Sequence, residues 1–403
     1  MPQPIKTLLL EANGTHWTAV GVETLVRGLL GLRGELPERY ARIPWLRKAI
    51  GRRYEMASYM DDWKDGFCAS PALDVEVCNI TDLVGYARAR SAIREYPLVV
   101  ILHSVAGDRM SLLLRTADWF QNRRGALAVF IGNEYDLMEE KIRFLREARA
   151  EFICSQLPLG TARWLYEDCR DSTVLPMAHA LNPAAYTPSG PFPRSVDVAF
   201  IGDLYERLIG DRERTDIVQF FERRGSDYGL RCVIRSQRMR RADWAQFLNE
   251  CAAVIGAESG TYYLDRDGRI LRDAKRFLAA HPRATFDEVF DTCFRHAIGY
   301  VSGKAISSRH FEPIGTKTCQ ILVEGEYNGI LTPGRHYIAV RRDLSNIDDA
   351  VRQFKDVAHR TRIVEEAYEY VRCAHTYADR VKLLVSAFDG QVVPAGGAES
   401  ISH

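Results

Sequence analysis

The sequence lacks the features that mark membrane-spanning, secreted and metal-binding proteins. No apolar run reaches the roughly 18 residues that a membrane-spanning helix needs, and the first apolar stretch is too short for a signal peptide. The nine cysteines are scattered, with no CxxC pair and no zinc-type spacing. We therefore expect a cytoplasmic protein without disulfides. Peripheral membrane contact and the oligomeric state stay open.

The sequence also lacks an excess of charge of either sign. Its 54 lysines and arginines nearly balance its 53 aspartates and glutamates, which gives a net charge of +1. No global field then attracts a polyanion. We expect no nucleic-acid partner, and we expect any bound anion to be held by local groups.

Several catalytic motifs are missing as well. The chain has no GxSxG, P-loop, HExxH or GxGxxG motif, which removes the main support for a hydrolase, a kinase or a dinucleotide-binding enzyme. Asp265-Arg266-Asp267 has the spacing of a metal-binding DxD motif, but it precedes Gly268 in a stretch typical of a hairpin turn. We predict no metal and no other cofactor.

The length and the pattern of apolar segments predict two domains. The chain has 403 residues, and single cores stop growing at roughly 250 to 300 residues. In the first half, short apolar segments alternate with helical stretches, as in parallel sheets with crossover helices. The predicted elements there are strands at Thr7–Leu10, Leu73–Val77, Leu98–Leu102, Ala126–Ile131 and Phe152–Cys154 and a helix over Gly21–Leu30.

A proline-rich stretch at residues 182–196 separates this series from a second one of the same kind. The boundary divides the chain into an N-terminal domain over 1–190, a second domain over 191–360, terminal helices over 361–389 and a flexible tail over 390–403. The predicted strands of the second series are Val196–Ile201, Leu230–Ile234, Ala252–Ile255, Cys319–Val323 and Tyr337–Val340. Helical spacing continues from Asp348 to about Val385, where we expect a long terminal helix pair.

The most informative segment is Ser307–Thr318, which directly precedes an apolar strand. It combines a carboxylate, two cations and four hydroxyls, and a sugar nucleotide calls for such groups around its ribose and its diphosphate. A solvated loop in which Glu312 pairs with Arg309 explains the pattern equally well. The candidate donor-binding residues of this segment are Arg309, His310, Glu312, Gly315, Thr316, Lys317 and Thr318.

Two further loops of the second half follow predicted strands. Gly202, Asp203 and Arg207 come after the first strand of the series, and Glu258, Ser259 and Gly260 come after the third. Glycine lets a backbone approach a phosphate, and the helix that follows offers its N-terminus. Plain turns and surface charges are the alternative for both loops.

Polar loops at one edge of the first predicted sheet are candidates for an acceptor site. They are Asn13, Gly14 and His16, then His103, then Asn133 and Glu134. A transfer reaction needs a general base, for which His103 is our first choice and Glu134 our second. A structural histidine is the alternative.

Taken in order, short segments of the chain resemble the group 1 glycosyltransferases of the GT-B type, in particular the subgroup related to spore maturation proteins. The resemblance extends from about Val99 to Leu384. Its segments are Ile131–Glu134, Leu175–His179 with Asn182-Pro183, Asp197–Gly202, Arg309–Glu312, and His375–Tyr377 followed by Arg380.

The resemblance implies an α/β fold of the GT-B type, with two Rossmann-like doubly wound domains facing a central cleft and C-terminal helices that cross back to the first domain. It implies metal-independent transfer from a nucleotide-diphosphate sugar, the co-substrate, to an unidentified acceptor. The leaving diphosphate would be stabilised by Arg207, Arg309 and Lys317.

One part of the family pattern is broken. Group 1 members carry a Glu-x7-Glu pair at the donor site. Glu312 matches the ribose-binding member, but the partner position holds Lys304, or Gln320 in the other register. Our hypothesis is that Glu258 replaces the missing carboxylate at the sugar. A sugar-nucleotide epimerase or hydrolase of the same fold, and an inactive module that binds a glycan or a nucleotide, remain alternatives.

Overall fold

The structure is a computed structural model that describes residues 3–12, 59–80, 83–106, 113, 116–190, 194–236 and 239–392. Across these residues no helix combines the length and the apolar character that a membrane span requires. The predicted helix over Gly21–Leu30 lies outside the described residues.

The first sheet contains six parallel strands in the order β2-β1-β3-β4-β5-β6. Most of their side chains are apolar and buried, because helices cover both faces of a parallel sheet. The strands are β1 (Ile5–Glu11), β2 (Leu73–Asn79), β3 (Leu98–Ile101), β4 (Ala126–Phe130), β5 (Phe152–Ser155) and β6 (Thr173–Pro176).

The second sheet contains five parallel strands in the order β11-β10-β9-β7-β8. Read from β8, this is the same strand order as the first five strands of the first sheet. The strands are β7 (Val196–Ile201), β8 (Cys232–Arg235), β9 (Cys251–Gly256), β10 (Cys319–Val323) and β11 (Ile338–Val340).

Helices connect the strands and cover the sheets. Those before β7 are α1 (Tyr59–Cys68), α2 (Leu83–Ala92), α3 (Ala117–Gln121), α4 (Met138–Glu147) and α5 (Leu159–Leu165). Those after β7 are α6 (Glu206–Ile209), α7 (Glu213–Arg224), α8 (Arg241–Glu250), α9 (Arg269–Ala280), α10 (Phe286–Val289), α11 (Ser308–Gly315), α12 (Ile347–Lys355), α13 (Val357–Ala374) and α14 (Tyr377–Val392).

The strand order fixes where a ligand can bind. In doubly wound sheets, ligands bind beyond the carboxyl ends of the strands, where the strand order reverses. The reversal falls between β1 and β3 in the first sheet and between β7 and β9 in the second. Residues that follow these four strands line one shared cavity.

The last helix joins the two halves of the molecule. Tyr377, Val381 and Leu384 of α14 are buried in the same apolar cluster as Trp63 of α1 and Leu9 of β1. The C-terminal helix therefore crosses back onto the first sheet, which confirms that prediction.

A segment between β9 and α11 makes a second connection. Leu264 and Ala305 are buried in the core of the first half, and the ammonium of Lys275 lies 2.6 Å from a carboxylate oxygen of Asp136. The guanidinium of Arg266 stacks 4.7 Å from the ring centre of Trp164. This segment holds the two halves together along one side of the cavity.

All the predicted strands are present, but two expectations need correction. Strand β6 was not predicted, because it is short, lies at an edge and ends in Pro176, a residue that weakens a strand signal. The stretch Asp348–Val385, predicted to form a long helix pair, is divided into three helices, α12, α13 and α14. Asp356 interrupts it by capping α13 through a bond from the His359 N–H at 3.0 Å. The predicted domain limits stay a prediction.

Candidate active site

A cavity of about 710 Å³ lies between the two sheets, at their carboxyl edges. The first half contributes the residues after β1, β3, β4 and β5, and the second half contributes those after β7 and β9 and the start of α11. Predicted site residues that line it are His103, Asn133, Glu134, Gly202, Asp203, Ser259, Gly260, Arg309 and His310.

Arg309, in the first turn of α11, provides a cation at the cavity wall. Its guanidinium lies 4.4 Å from the ring centre of Trp244. One of its nitrogens, Nη1, is buried and has no hydrogen-bond partner within the described residues. The nearest carboxylate oxygen, Oε2 of Glu312, is 3.8 Å away, too far for a hydrogen bond. The cavity thus has a cation with an unused donor beside the N-terminus of a helix, which attracts anions.

His310 fixes the start of this helix. Its Nδ1 accepts a hydrogen bond from the Ser307 N–H at 3.0 Å, and its ring is also hydrogen-bonded to the Ala257 backbone. Burial lowers the pKa of His310 to about 3, so the ring is neutral. His310 therefore ties α11 to the loop after β9.

Arg214 of α7 places a second cation in the cavity. Its guanidinium donates to the Tyr205 hydroxyl at 2.5 Å and to the Ser259 Oγ at 3.2 Å. These neutral partners orient the charge without cancelling it. The adjacent Gly260 has φ +90°, and a Cβ there would lie 2.1 Å from the carbonyl oxygen of Gly303, so only glycine fits this loop.

His103 forms the wall opposite these cations. It is 2% exposed, and its ring stacks on His179 with 5.4 Å between ring centres. Burial lowers its pKa well below the usual value, and His179 adds to this effect. Its Nε2 is buried and without a partner in the part of the chain that the structure describes. A neutral ring of such low basicity is suited to hydrogen-bond a hydroxyl more than to hold a proton.

Glu134 lines the cavity, but its carboxylate is bound by its own fold. One oxygen accepts from Ser155 Oγ at 2.6 Å and from the Tyr166 hydroxyl at 2.7 Å, and the other accepts from the Gln156 N–H at 2.8 Å. Burial raises its pKa. These bonds join the ends of β4 and β5. Glu134 thus has a structural role, whereas the sequence had suggested it as a general base.

The two glutamates predicted at the donor lie outside the cavity lining. Glu258 Oε1 accepts from the Tyr327 N–H at 2.6 Å, and Glu258 packs against Gly325. Burial raises the pKa of Glu258. Glu312 is 1% exposed, and its Oε2 accepts from Trp244 Nε1 at 2.6 Å. The proposed division of sugar and ribose between them finds no support in this placement, because both carboxylates bind neighbouring loops and side chains.

The predicted residues after α11 are also structural. Arg194 donates to Thr318 Oγ1 at 2.9 Å and to the carbonyls of Thr316 and Lys317 at 3.0 and 2.9 Å. The ammonium of Lys317 pairs with Glu365. None of these side chains lines the cavity, because the hydroxyls and the ammonium are turned to other parts of the fold.

Gly315 and Arg207 likewise lie away from the cavity lining. A Cβ on Gly315 would lie 2.5 Å from Leu181, so the glycine permits close packing. The Arg207 guanidinium donates to the carbonyls of Pro282 and Ala284 at 3.2 and 3.0 Å. Neither is in a position to contact a diphosphate in the cavity.

Asn13, Gly14 and His16 lie outside the described residues, and their predicted roles stay predictions. Asp265 and Asp267 accept hydrogen bonds from the backbone at the start of α9, namely from Ile270 N at 2.9 Å and Arg269 N at 3.1 Å. Within the described ranges no group of three or more His, Cys, Asp or Glu residues is arranged to hold a metal ion.

Cavity residues that were not among the predicted site residues include Arg214, Trp244 and Gln320. Arg214 lies in an ordinary helical stretch, and Trp244 follows a run of arginines that is typical of a solvated face. Gln320 was named only as the alternative partner position of the family pair, although a single polar residue within an apolar strand was a signal for it.

The comparisons with known proteins agree with this geometry. Residues 229–386 match the model of the glycosyl transferase-like family. An alpha-glucosyltransferase in complex with UDP-glucose and DNA containing an abasic site has a TM-score of 0.52 at 10% identity, covering 96% of this chain and 100% of that chain. No curated protein matches the chain significantly.

Two other solved structures have lower scores. HepE of Anabaena, in complex with UDP and glucose, has a TM-score of 0.47 at 10% identity, and T4 phage beta-glucosyltransferase has 0.48 at 11%. Each alignment covers 96% of this chain and 100% of the other chain.

The fold is that of the GT-B glycosyltransferases. The match of residues 229–386 to the glycosyl transferase-like family, together with this fold, supports the broader resemblance to the group 1 glycosyltransferases. The narrower resemblance to spore maturation proteins stays a prediction.

The prediction that excluded a nucleic-acid partner is wrong. It is overturned by the alpha-glucosyltransferase of the same fold whose structure contains DNA. The physical reason is that a net charge of +1 averages over the whole surface, whereas phosphates are bound by local groups of cations.

Proposed function

We propose that the chain transfers a sugar from a nucleoside diphosphate sugar, with the diphosphate bound between Arg309, Arg214 and the first amides of α11. The observation that carries this proposal is that Arg309 lines the cavity and that its buried Nη1 has no hydrogen-bond partner among the described residues. A phosphate oxygen supplies the missing acceptor and compensates the charge.

The same groups also suit the chemistry of transfer. Negative charge develops on the diphosphate as the bond to the sugar breaks, and fixed cations and helix amides stabilise that charge. Two arginines in one cavity do what a divalent metal does in other transferases. We therefore propose that the reaction needs no metal and no other cofactor.

On the other wall we propose that His103 accepts a hydrogen bond from a hydroxyl of the sugar or of the acceptor. Its Nε2 is buried and unpaired within the described part of the chain, and its low pKa keeps the ring neutral over the physiological range. Replacing His103 by Gln keeps a hydrogen-bonding group, whereas Ala removes it. Transfer should therefore fall more in H103A than in H103Q, with nucleotide binding little changed in both.

The decisive experiment is donor turnover in the presence of EDTA. Purified protein is incubated with UDP-glucose and other nucleotide sugars, with acceptor pools of oligosaccharides, lipids and DNA oligomers. Release of nucleoside diphosphate that depends on an acceptor supports the proposal. Conversion of the donor alone to an epimer or a free sugar supports the alternative enzymes, and binding without turnover supports the inactive module.

We also propose that the protein works in a reducing compartment such as the cytoplasm. All nine cysteines are free, and six of them are buried. Alkylation of the protein extracted under denaturing conditions should modify all nine thiols, and a protected pair would contradict this proposal.

A further inference from the structure

The cavity extends into a recess along the face of the second sheet that is covered by α11. Its floor has two rows of residues on the neighbouring strands β7, β9 and β10. The inner row is Ala199, Val254 and Gln320, which lie in register. The outer row is Ile201, Gly256 and Leu322. Every second residue of a strand points to the same face, and such residues are about 6.6 Å apart along the strand. The inner row therefore lies about 6.6 Å deeper in the recess than the outer row.

Small residues make room in this recess. Ala199 lies at the β7 end of the inner row, and Gly256, in the middle of the outer row, has no side chain. A Cβ added to Gly256 would meet only the Leu322 side chain, at the ordinary contact distance of 3.6 Å. Trp244 and Pro313 form the walls. The recess is therefore apolar and suits a flat ring.

Gln320 is the polar exception at the inner end. It is 1% exposed, and its Nε2 donates to the His310 carbonyl at 3.0 Å. This bond fixes the orientation of the amide. The other atom, Oε1, is buried and has no hydrogen-bond partner within the described residues. A buried acceptor without a partner is unfavourable, so the site calls for an N–H or O–H donor from a ligand.

We propose that Gln320 recognises the nucleobase of the donor by accepting a hydrogen bond from a ring N–H, which uracil, thymine and guanine have. This inference rests on the proposed function. A sugar is polar on all sides and would leave hydroxyls unpaired against Val254 and Leu322. A nucleobase has apolar faces for the walls and a polar edge for one acceptor, and a ring N–H projects from the middle of that edge.

The placement fits the rest of the donor site. Arg309 and Pro313 belong to the same helix, so a base under α11 lies next to a diphosphate at the N-terminus of α11. Trp244 contacts both regions, since the Arg309 guanidinium stacks on its ring.

The test compares nucleotides that differ only at the ring N–H. Binding of UDP and N3-methyl-UDP, and of GDP and N1-methyl-GDP, is measured by calorimetry with the full chain and with Gln320→Leu. Of UDP and GDP, the one that the wild-type chain binds more tightly should lose affinity by on the order of tenfold or more when its ring nitrogen is methylated. In Q320L that nucleotide and its methylated form should bind alike. Ala199→Val, which narrows the recess without changing Gln320, should weaken all four nucleotides.

The outcomes separate this inference from the proposed function. If the wild-type chain binds the parent and the methylated nucleotide equally, or binds ADP or CDP more tightly than both UDP and GDP, the role of Gln320 is refuted while donor binding stands. If no nucleotide binds, the proposed function fails and this inference fails with it. Thermal unfolding of Q320L shows whether the variant is folded.

Discussion

Replacing Arg309 by Met tests the anion site most sharply. The substitution removes the charge but keeps a side chain of similar length against Trp244. A hydrogen bond to a charged group contributes roughly 1.5 to 3 kcal/mol, and about 1.4 kcal/mol corresponds to a tenfold change in affinity. Because Arg309 Nη1 lacks any competing hydrogen bond within the described residues, we expect about 10- to 100-fold weaker binding of the nucleoside diphosphate.

The assay is calorimetric titration with the nucleoside diphosphate that binds the wild-type chain best. Arg207→Met is the matched control, since its guanidinium is bound to the carbonyls of Pro282 and Ala284, away from the cavity lining. R207M should bind within about twofold of the wild-type chain, a difference of less than 0.5 kcal/mol by the same conversion. Equal affinity of R309M and the wild-type chain, with both folded, would refute the reasoning.

Two further predictions concern stability. Burial, helped by Glu312, raises the pKa of Asp62 to about 7. Since the pKa of Asp62 is higher in the folded chain than in the unfolded chain, the stabilisation from protonated Asp62 is fully present below about pH 4. The free energy of unfolding then falls as pH rises to 7, by up to roughly 4 kcal/mol. Asp62→Asn should flatten this dependence in urea unfolding from pH 4 to 8, and an unchanged slope would contradict it. Lys304 is 5% exposed and pairs with Asp211, and its ammonium lies 3.4 Å from Glu213. Lys304→Met leaves the buried carboxylate of Asp211 without the ammonium that pairs with it and should cost roughly 3 to 5 kcal/mol in the free energy of unfolding; a loss under about 1 kcal/mol would argue against a buried ion pair.

The fold was largely predictable because its signals are local. Each parallel strand is a short apolar run, such as Ala126–Phe130, bounded by polar residues, and the alternation of such runs with helices indicates a doubly wound sheet. The failures were also local. Pro176 weakened the sequence signal of the edge strand β6, which was therefore not predicted. Asp356 separates two helices within a stretch whose apolar residues keep helical spacing throughout.

The candidate site was predictable only in part, because partners far apart in the sequence decide where a side chain points. The predicted loops after β3, β4, β7 and β9 line the cavity, since topology fixes the carboxyl edge of each sheet. The direction of a charge within those loops was not. Glu312 accepts a hydrogen bond from Trp244, and Lys317 pairs with Glu365. Arg214, in contrast, is held at the cavity by hydrogen bonds to Tyr205 and Ser259. No local pattern encodes these contacts.

The position that breaks the family pair now has a structural explanation. Lys304 stands where a carboxylate was expected and forms a buried cluster with Asp211 and Glu213. A carboxylate there would be repelled by both. In the register that puts the partner position at 304, a structural cation therefore stands where the family resemblance implies a carboxylate.

The most direct measurement is a crystal structure of the chain with the nucleoside diphosphate that it binds best. We predict that a phosphate oxygen lies within hydrogen-bond distance of Arg309 Nη1 and of the first amides of α11. Arg214 should be on the other side of the diphosphate. A nucleotide bound away from this cavity, or one whose phosphates contact neither arginine, would contradict the account.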